Sequence, residues 1–410
     1  MESESSERDF MHHGTPVTMA INTSAKRQGR NVVWVAFVVA VFGWGLGFYG
    51  PPVYLPVLHA KHGWSISLIS SAITAHYLVG AVLIANLPTA YRRFGIAPVT
   101  MAGAVFAGVG AMAWANAAEP WHLVPALLLS ALGWSATSGA ALNALVSPWF
   151  DKDRPKAISM AFNGASVGGV LFTPLWTVLI AVLGMSLAAA LLGFAMMIVI
   201  VPLAHLVLKI APPTGAQQAT KPTPRRELMA RGTFITISAA FALGLFAQIG
   251  LFAHLIVRLT PDFGPAVGAA SISVVTLCAI LGRTVLAWLL GEHDRRLAMA
   301  ASLVMQAAGS MALALGDGAP LLALGCVLFG LGVGNLTSMM PLIAQKEFRP
   351  ADVGTVVALV TAINQAVFAL APGLFGWMRD LTEGYLVAFL IAGAVQILAA
   401  AILAGGRRFS

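Results

Sequence analysis

Carboxylates are scarce in this chain, and none of its 16 Asp and Glu residues falls within a long apolar run. Charge of either sign is thin: Asp, Glu, Lys and Arg together make up 10% of the residues, where a soluble domain carries about 25%. That shortage, with 58% hydrophobic residues and a mean hydropathy of +0.83, excludes an ordinary water-soluble domain. Cysteine is down to two residues, Cys278 and Cys326, both in apolar segments, which reads as packed thiols rather than a disulfide or a metal pair. No apolar stretch precedes Asn31, so no cleaved signal peptide is read and the first apolar run is expected to act as the insertion signal. Also missing are a phosphate-cradling Gly-rich loop ending in Lys-Ser/Thr, a metal-ligand cluster, and any loop long enough for an ATPase or hydrolase domain. The sequence therefore predicts no enzyme, no cofactor and no metal site, and it leaves ion or solute gradients as the source of energy.

What is present is a series of twelve apolar runs, each about 20 residues long or more and able to cross a hydrocarbon core of roughly 30 Å. The first six are expected at Val32–Leu58, Ser67–Ala90, Ile96–Ala115, His122–Val146, Ala157–Leu183 and Ser186–Ile210. The second six are expected at Phe234–Leu259, Pro265–Leu290, Leu297–Leu315, Pro320–Ile343, Val353–Trp377 and Tyr385–Leu403. The runs are unbroken and rich in Ala, Leu and Gly, whereas barrel strands would be about ten residues long with alternating polarity, so helices are predicted. The fold class is an all-α membrane protein, with twelve transmembrane helices in two six-helix bundles.

The basic balance follows the loops. Of 24 Lys and Arg, only Lys61, Arg258 and Arg379 fall in loops on one side, and all the others except Arg283 fall in segments on the other. Such bias predicts both termini in the cytoplasm of a cell whose inner, or plasma, membrane the chain spans several times. No basic folded domain remains to present that charge to nucleic acid, so no nucleic-acid partner is expected. Residues 1–30 are expected as a cytoplasmic tail, 31–210 and 233–404 as the two bundles, 211–232 as a cytoplasmic linker rich in Pro, Thr, Gln and basic residues, and 405–410 as a second tail. Two six-helix halves joined this way are the arrangement expected to rock about a central site. Faint internal similarity supports the division: Asn143, Pro148 and Arg154-Pro155 close the fourth helix, and Asn335, Pro341 and Arg349-Pro350 close the tenth. Asn163 to Pro174 in the fifth helix likewise echoes Asn364 to Pro372 in the eleventh.

Arg283 is the one charged residue predicted inside a span away from its ends. A guanidinium at membrane depth costs at least a few kcal/mol and stays charged at cellular pH, so it normally faces a cavity with an anion nearby. With no carboxylate in the other spans, the expected anion is the cargo, gripped through two parallel hydrogen bonds. A second reading stands beside this one. Arg283 lies seven residues before Leu290, roughly 10 Å along a helix, and its side chain could snorkel to the interface.

Beyond His122 at the edge of the fourth span, three histidines lie in predicted spans, His76, His205 and His254, and a neutral imidazole can shuttle a proton. Each can equally be a hydrogen-bonded core residue. The first helix carries Gly43, Gly45, Gly47 and Gly50-Pro51-Pro52 among Trp44, Tyr49 and Tyr54, and the tenth carries Gly325, Gly330, Gly332, Gly334 and Asn335. Such runs mark either a binding site or moving interface, or close helix packing as at Gly164 and Gly168. Tyr49 could donate to a carboxylate, and Asn335 and Asn364 could orient one or tie helices together.

The layout, the basic turn Arg92-Arg93-Phe94-Gly95 between helices two and three, and its second copy Asp294-Arg295-Arg296 between helices eight and nine resemble the major facilitator superfamily over about Asn31 to Leu403. Arg92 stands where that family's turn usually has Asp. The stretch from Ser147-Pro148-Trp149-Phe150 through Arg154-Pro155-Lys156-Ala157 to Gly164, Gly168 and Gly169 is similar to the monocarboxylate and oxalate:formate porter branch.

That resemblance implies a substrate-binding arginine at Arg283 and a counterpart of the helix-seven histidine of bacterial lactate-type members at His254. Eukaryotic-type members pair the arginine with an Asp one turn earlier, where this chain has Ala279, and oxalate carriers add a Lys on helix eleven, where it has Asn364 and Gln365. One fixed cation suits a monoanion. The expectation is a secondary transporter of small organic anions, monocarboxylates first, in a lipid bilayer, working as a monomer by alternating access. The candidate binding residues are Arg283, His254, Tyr49, Asn335 and Asn364, with protons or a second anion as the coupled species. An exporter of apolar or xenobiotic compounds is the alternative. A membrane sensor would need a signalling domain that the short tail and linker do not supply.

Overall fold

The computed structural model describes residues 16–150, 153–210, 223–291 and 293–409. Most of the expected linker, 211–222, and the first half of the expected N-terminal tail lie outside the described residues. Twelve helices are long and apolar enough to cross a membrane. The first six are α1 (Arg27–Gly47), α2 (Leu68–Phe94), α3 (Ile96–Ala115), α4 (Pro120–Trp149), α5 (Arg154–Leu183) and α6 (Met185–Val207). The second six are α7 (Gly232–Leu259), α8 (Ala270–Leu289), α9 (Arg295–Leu315), α10 (Ala319–Glu347), α11 (Pro350–Arg379) and α12 (Leu386–Gly405). With twelve crossings, Arg27 and Gly405 lie on one side, called here the terminus side.

The helices run further than the apolar runs that announce them. The helix containing α1 begins at Pro16, within the expected tail, because the sequence that follows offers Ala, Met, Lys, Arg and Gln, all good helix formers. The fold breaks where backbone chemistry allows it. Gly264, at φ 81, turns the chain between α7 and α8, a conformation strained for any residue with a side chain. After Gly47, α1 stops for two residues and resumes as Gly50–His62, with Pro51 and Pro52 in the first turn, where missing N–H groups cost nothing. Ser138 interrupts α4, with ψ at 173°, and Gly334 interrupts α10.

Small residues bring the helices of each bundle together. Within the first bundle, a methyl on Gly164 would collide with Phe37 O, and one on Gly168 would come within 2.5 Å of Val41 O, so α5 crosses α1 backbone to backbone. Gly110 against Ser130 joins α3 to α4, and Gly309 against Phe329 joins α9 to α10 in the same manner in the second bundle. Large apolar side chains cover the outside, among them Val182, Ile198 and Trp288, as expected for a surface that meets lipid.

Two charges sit deeper than expected. Arg296 is 2% exposed, and its fork grips Glu347 at the end of α10, with Nε to Oε1 at 2.7 Å and Nη2 to Oε2 at 2.8 Å. Asp294 caps α9 by accepting from Arg296 N and Leu297 N. Asp352, 0% exposed in the first turn of α11, accepts from Thr223 N and Oγ1 and from Arg349 Nε. Because helices outrun apolar runs, both lie within helix ends, yet each is neutralised by a local partner. At the first basic turn Arg92 donates instead to Thr89 Oγ1, so the acid-bound form of this turn belongs to its second copy.

Candidate functional site

Between the bundles lies a central cavity of about 130 Å³, lined from α1, α4 and α5 of the first bundle and α7, α8, α10 and α11 of the second. At about 30 Å³ per water, that is room for roughly four waters, the scale of a small organic solute. Its walls are largely aromatic: Trp44, Phe48, Trp134, Phe162, Phe252 and Phe368. Trp44 meets Trp134 edge to face at 5.0 Å, and Phe48 stacks on Trp134 at 6.2 Å, so the first bundle contributes a rigid apolar face.

Arg283 is the one charged residue in this lining. It is 4% exposed and bonded to internal groups rather than extended to the interface. Its position follows from how α8 meets α10. Gly282 has no Cβ to strike Leu331 O, and Gly334 has none to strike Ala279 O, so the two backbones approach closely. At the α10 break, Gly334 O accepts from Arg283 Nε at 2.9 Å. Arg283 Nη1 donates to Asn163 Oδ1 on α5 at 3.1 Å. Two of the five N–H donors of the guanidinium are thereby used, and three have no partner among the described residues.

Asn163 completes a seam between the bundles. Its Nδ2 donates to Thr284 Oγ1 at 3.1 Å, and Ser159 Oγ, one turn earlier on α5, donates to Arg283 O at 3.3 Å. Nearer the terminus side, Gln345 Nε2 on α10 donates to Asn143 Oδ1 and Ser147 Oγ on α4. At mid-depth Gln365 on α11 accepts from Trp134 Nε1 at 2.6 Å and donates to Tyr77 O at 2.6 Å. Gly80 makes room for that amide, since a methyl there would lie 2.7 Å from Gln365 Nε2. These bonds hold the bundles together from mid-depth to the terminus side.

The other candidate residues divide. Tyr49 and Asn364 line the cavity with Arg283. Tyr49 packs over Gly169, whose missing side chain leaves the space for its ring, and Asn364 Oδ1 is buried without a partner among the described residues. Thr361 Oγ1 is left the same way in the same wall. Asn335 and His254 do not line the cavity. Asn335 Nδ2 donates to Ser302 Oγ at 2.8 Å, tying α10 to α9. His254 sits between α7, α11 and the start of α12, 2.9 Å from Pro372 O and 3.2 Å from Tyr385 Oη. A carbonyl can only accept, so Nε2 carries the proton and a neutral His254 accepts from Tyr385 through Nδ1.

His76, also buried, contacts Ser130 Oγ at 2.8 Å within the first bundle, and His205 is exposed beside Lys209 at the terminus-side end of α6. Sequence reading missed Asn163, Gln248, Trp134 and the bridging role of Gln365. The signal available was an isolated amide in an otherwise apolar helix.

The Major Facilitator Superfamily profile matches residues 33–372 and 259–408. The chain belongs to that superfamily. Human monocarboxylate transporter 11 is 30% identical over 335 residues, 76% of this chain and 69% of that protein. Monocarboxylate transporter 13 of Rattus norvegicus is 25% identical over 316 residues, 76% of this chain and 73% of that one. Within the superfamily, then, the chain resembles the monocarboxylate branch. Among solved structures, the human organic anion transporter MFSD10 superposes with a TM-score of 0.73 at 14% identity, over 92% of this chain and 99% of that one. The Escherichia coli fucose:proton symporter FucP does so with a TM-score of 0.70, also at 14% identity and over the same shares. At that identity the likeness is one of fold. A major facilitator protein of twelve apolar helices is a multi-pass membrane transporter of small molecules.

Proposed function

We propose that this transporter carries small organic anions, monocarboxylates foremost, by alternating access, with Arg283 as the carboxylate site. One observation carries the reading: among the described residues Arg283 is the only charged side chain lining a cavity shared by both bundles, and three of its N–H donors have no partner there. A desolvated cation without a carboxylate is costly, and an anionic cargo supplies the missing charge. Relatives named as monocarboxylate transporters agree with this chemistry. Tyr49 and Asn364 add polar groups to the same wall.

The bonds at mid-depth and on the terminus side make this the state closed on that side. The Lys and Arg distribution supports placing that side in the cytoplasm of an inner or plasma membrane, and on that reading the conformer faces outward. On this reading residues 31–210 and 233–404 are the moving halves, 211–232 links them, and the tails are cytoplasmic. That the cavity is lined within a single chain supports the monomer as the working unit. Protons or a counter-anion drive the cycle, and His254, beside α11 and α12, is the candidate proton-responsive group.

A second reading, export of apolar compounds, draws on the seven aromatic residues in the wall, Tyr49 included. Uptake of labelled lactate into proteoliposomes, with and without an inward proton gradient and with competing carboxylates or neutral lipophiles, separates the two. Saturable uptake competed by carboxylates and lost in Arg283→Gln is the expected result. Competition by neutral lipophiles alone would replace it with the exporter.

A further inference from the structure

A chain of side-chain amides runs from the cavity wall into the second bundle. Gln248 on α7 lines the cavity. Its Oε1 accepts from Gln306 Nε2 on α9 at 2.9 Å, Gln306 Oε1 accepts from Gln396 Nε2 on α12 at 2.9 Å, and Gln396 Oε1 accepts from Ser310 Oγ on α9 at 2.7 Å. All four residues are at most 4% exposed. Gly332 on α10 gives Gln306 its space, since a methyl there would come 2.8 Å from Gln306 Cβ.

Every bond in this chain points the same way. Each amide spends its oxygen on the donor behind it, and the chain ends on the Ser310 hydroxyl, which donates to Gln396 Oε1 and also lies 3.1 Å from Gln306 O one turn back on α9. The direction therefore arrives at Gln248 with the oxygen used and the Nε2 amide without a partner among the described residues, in the wall of the cavity that Arg283 lines. A lone glutamine could turn its amide over at little cost. Here a reversal would put two oxygens or two NH₂ groups face to face unless all three amides turned together, and buried polar groups left facing their own kind are costly.

We propose that Gln248 is a specificity-determining residue, an amide donor held in one orientation by Gln306, Gln396 and Ser310 to receive an acceptor oxygen of the cargo. The inference rests on the anion-carrier reading of the same cavity. The free donors of Arg283 take both oxygens of a carboxylate, so the oxygen left for Gln248 lies elsewhere on the cargo, on the carbon next to the carboxylate in a solute this small. Such a site favours an acid with an oxygen there over the plain alkyl acid of equal length, because the latter leaves a desolvated amide unpaired. Gln306, Gln396 and Ser310 are positioning residues.

The test measures competition of labelled uptake in proteoliposomes by pyruvate, lactate and propionate. For the wild type, pyruvate is expected to compete at least about tenfold better than propionate, which corresponds to about 1.4 kcal/mol. In Gln248→Met, close to isosteric and without the donor, the ratio should fall to within about twofold of one. Ser310→Ala, remote from the cavity, should lower the pyruvate-to-propionate ratio several-fold without changing the KM for propionate. It also serves as the test if Gln248→Met does not fold. An unchanged ratio in Gln248→Met, or in Ser310→Ala where that variant must stand in, overturns the proposal. So does a wild type that favours lactate while treating pyruvate like propionate, since that means an oxygen faces the cargo. Arg283-dependent uptake with no preference among the three acids would sink the Gln248 inference and leave the anion reading standing. Absence of any carboxylate uptake would sink both.

Discussion

Arg283 on α8 and Asn163 on α5 are joined by a 3.1 Å hydrogen bond that crosses from one bundle to the other. The residue that offers positive charge to the cavity is therefore also part of the seam that closes the terminus side. On the proposed reading, an anion drawn to Arg283 would act on a side chain that both bundles share, which would couple occupancy and closure through one guanidinium. A ligand shifts such an equilibrium only as far as its affinities for the two states differ, and this contact supplies a place for that difference to arise.

Arg283→Lys tests the geometry as well as the charge. Lysine keeps the cation but loses the planar fork, and it cannot serve Gly334 O, Asn163 Oδ1 and a carboxylate together in the same arrangement. Uptake at low substrate should fall by at least about tenfold, and Arg283→Gln should fall further. Measuring initial rates against lactate concentration checks both.

Asn163→Ala removes the seam while sparing the charge. Two side-chain bonds are lost, to Arg283 and to Thr284, each worth about 0.5–1.5 kcal/mol net. The expected result is a weakened closed seam with uptake still dependent on Arg283. A cysteine placed at Ser159, 4% exposed and facing α8, reports this in a background with Cys278 and Cys326 replaced. Maleimide labelling should be slow with Asn163 present and several-fold faster without it. Equal rates would show that Asn163 does not hold the seam.

The fold was legible in the sequence because hydrophobicity over about 20 residues is a strong signal, and Arg283 was legible because charge in such a run is rare. Helix rotation was not legible. Runs that are apolar all round carry no face, so nothing in the sequence separates Asn364, which lines the cavity, from Asn335, which ties α10 to α9. The amides Asn163, Gln248, Gln306 and Gln396 gain meaning only from neighbours on other helices. The same holds for Arg296, which its sequence shows as a turn residue and which Glu347 draws into the protein.

His254→Gln separates coupling from binding. The histidine lies outside the cavity lining and bridges Pro372 O and Tyr385 Oη, both of which a glutamine amide can satisfy in part. The KM for lactate should change by less than about threefold, while stimulation by an inward proton gradient should be lost. A tenfold rise in KM would put His254 in the binding site instead, and an intact gradient response would remove it from the coupling pathway.

Gln365→Leu addresses the mid-depth bridge. Gln365 is 1% exposed and serves two groups of the opposite bundle, Trp134 Nε1 and Tyr77 O, so the apolar variant leaves both without their partner in this conformer. Tyr77 O keeps its own helix bond, so the stranded group is the Trp134 N–H; at about 1–3 kcal/mol the penalty falls on this conformer, and the other, in which the bundles separate at that level, gains relative population. Gly80→Val should act in the same direction by a different route. Its side chain would enter the space of Gln365 Nε2, 2.7 Å from where a methyl would begin, and would also press on Trp134 Cδ1 at 3.1 Å. Both variants should therefore speed labelling of the Ser159 cysteine, and the double variant should add little to either alone, because the two substitutions break the same contact. Full additivity in that double-mutant cycle would mean that Gly80 acts elsewhere than through Gln365.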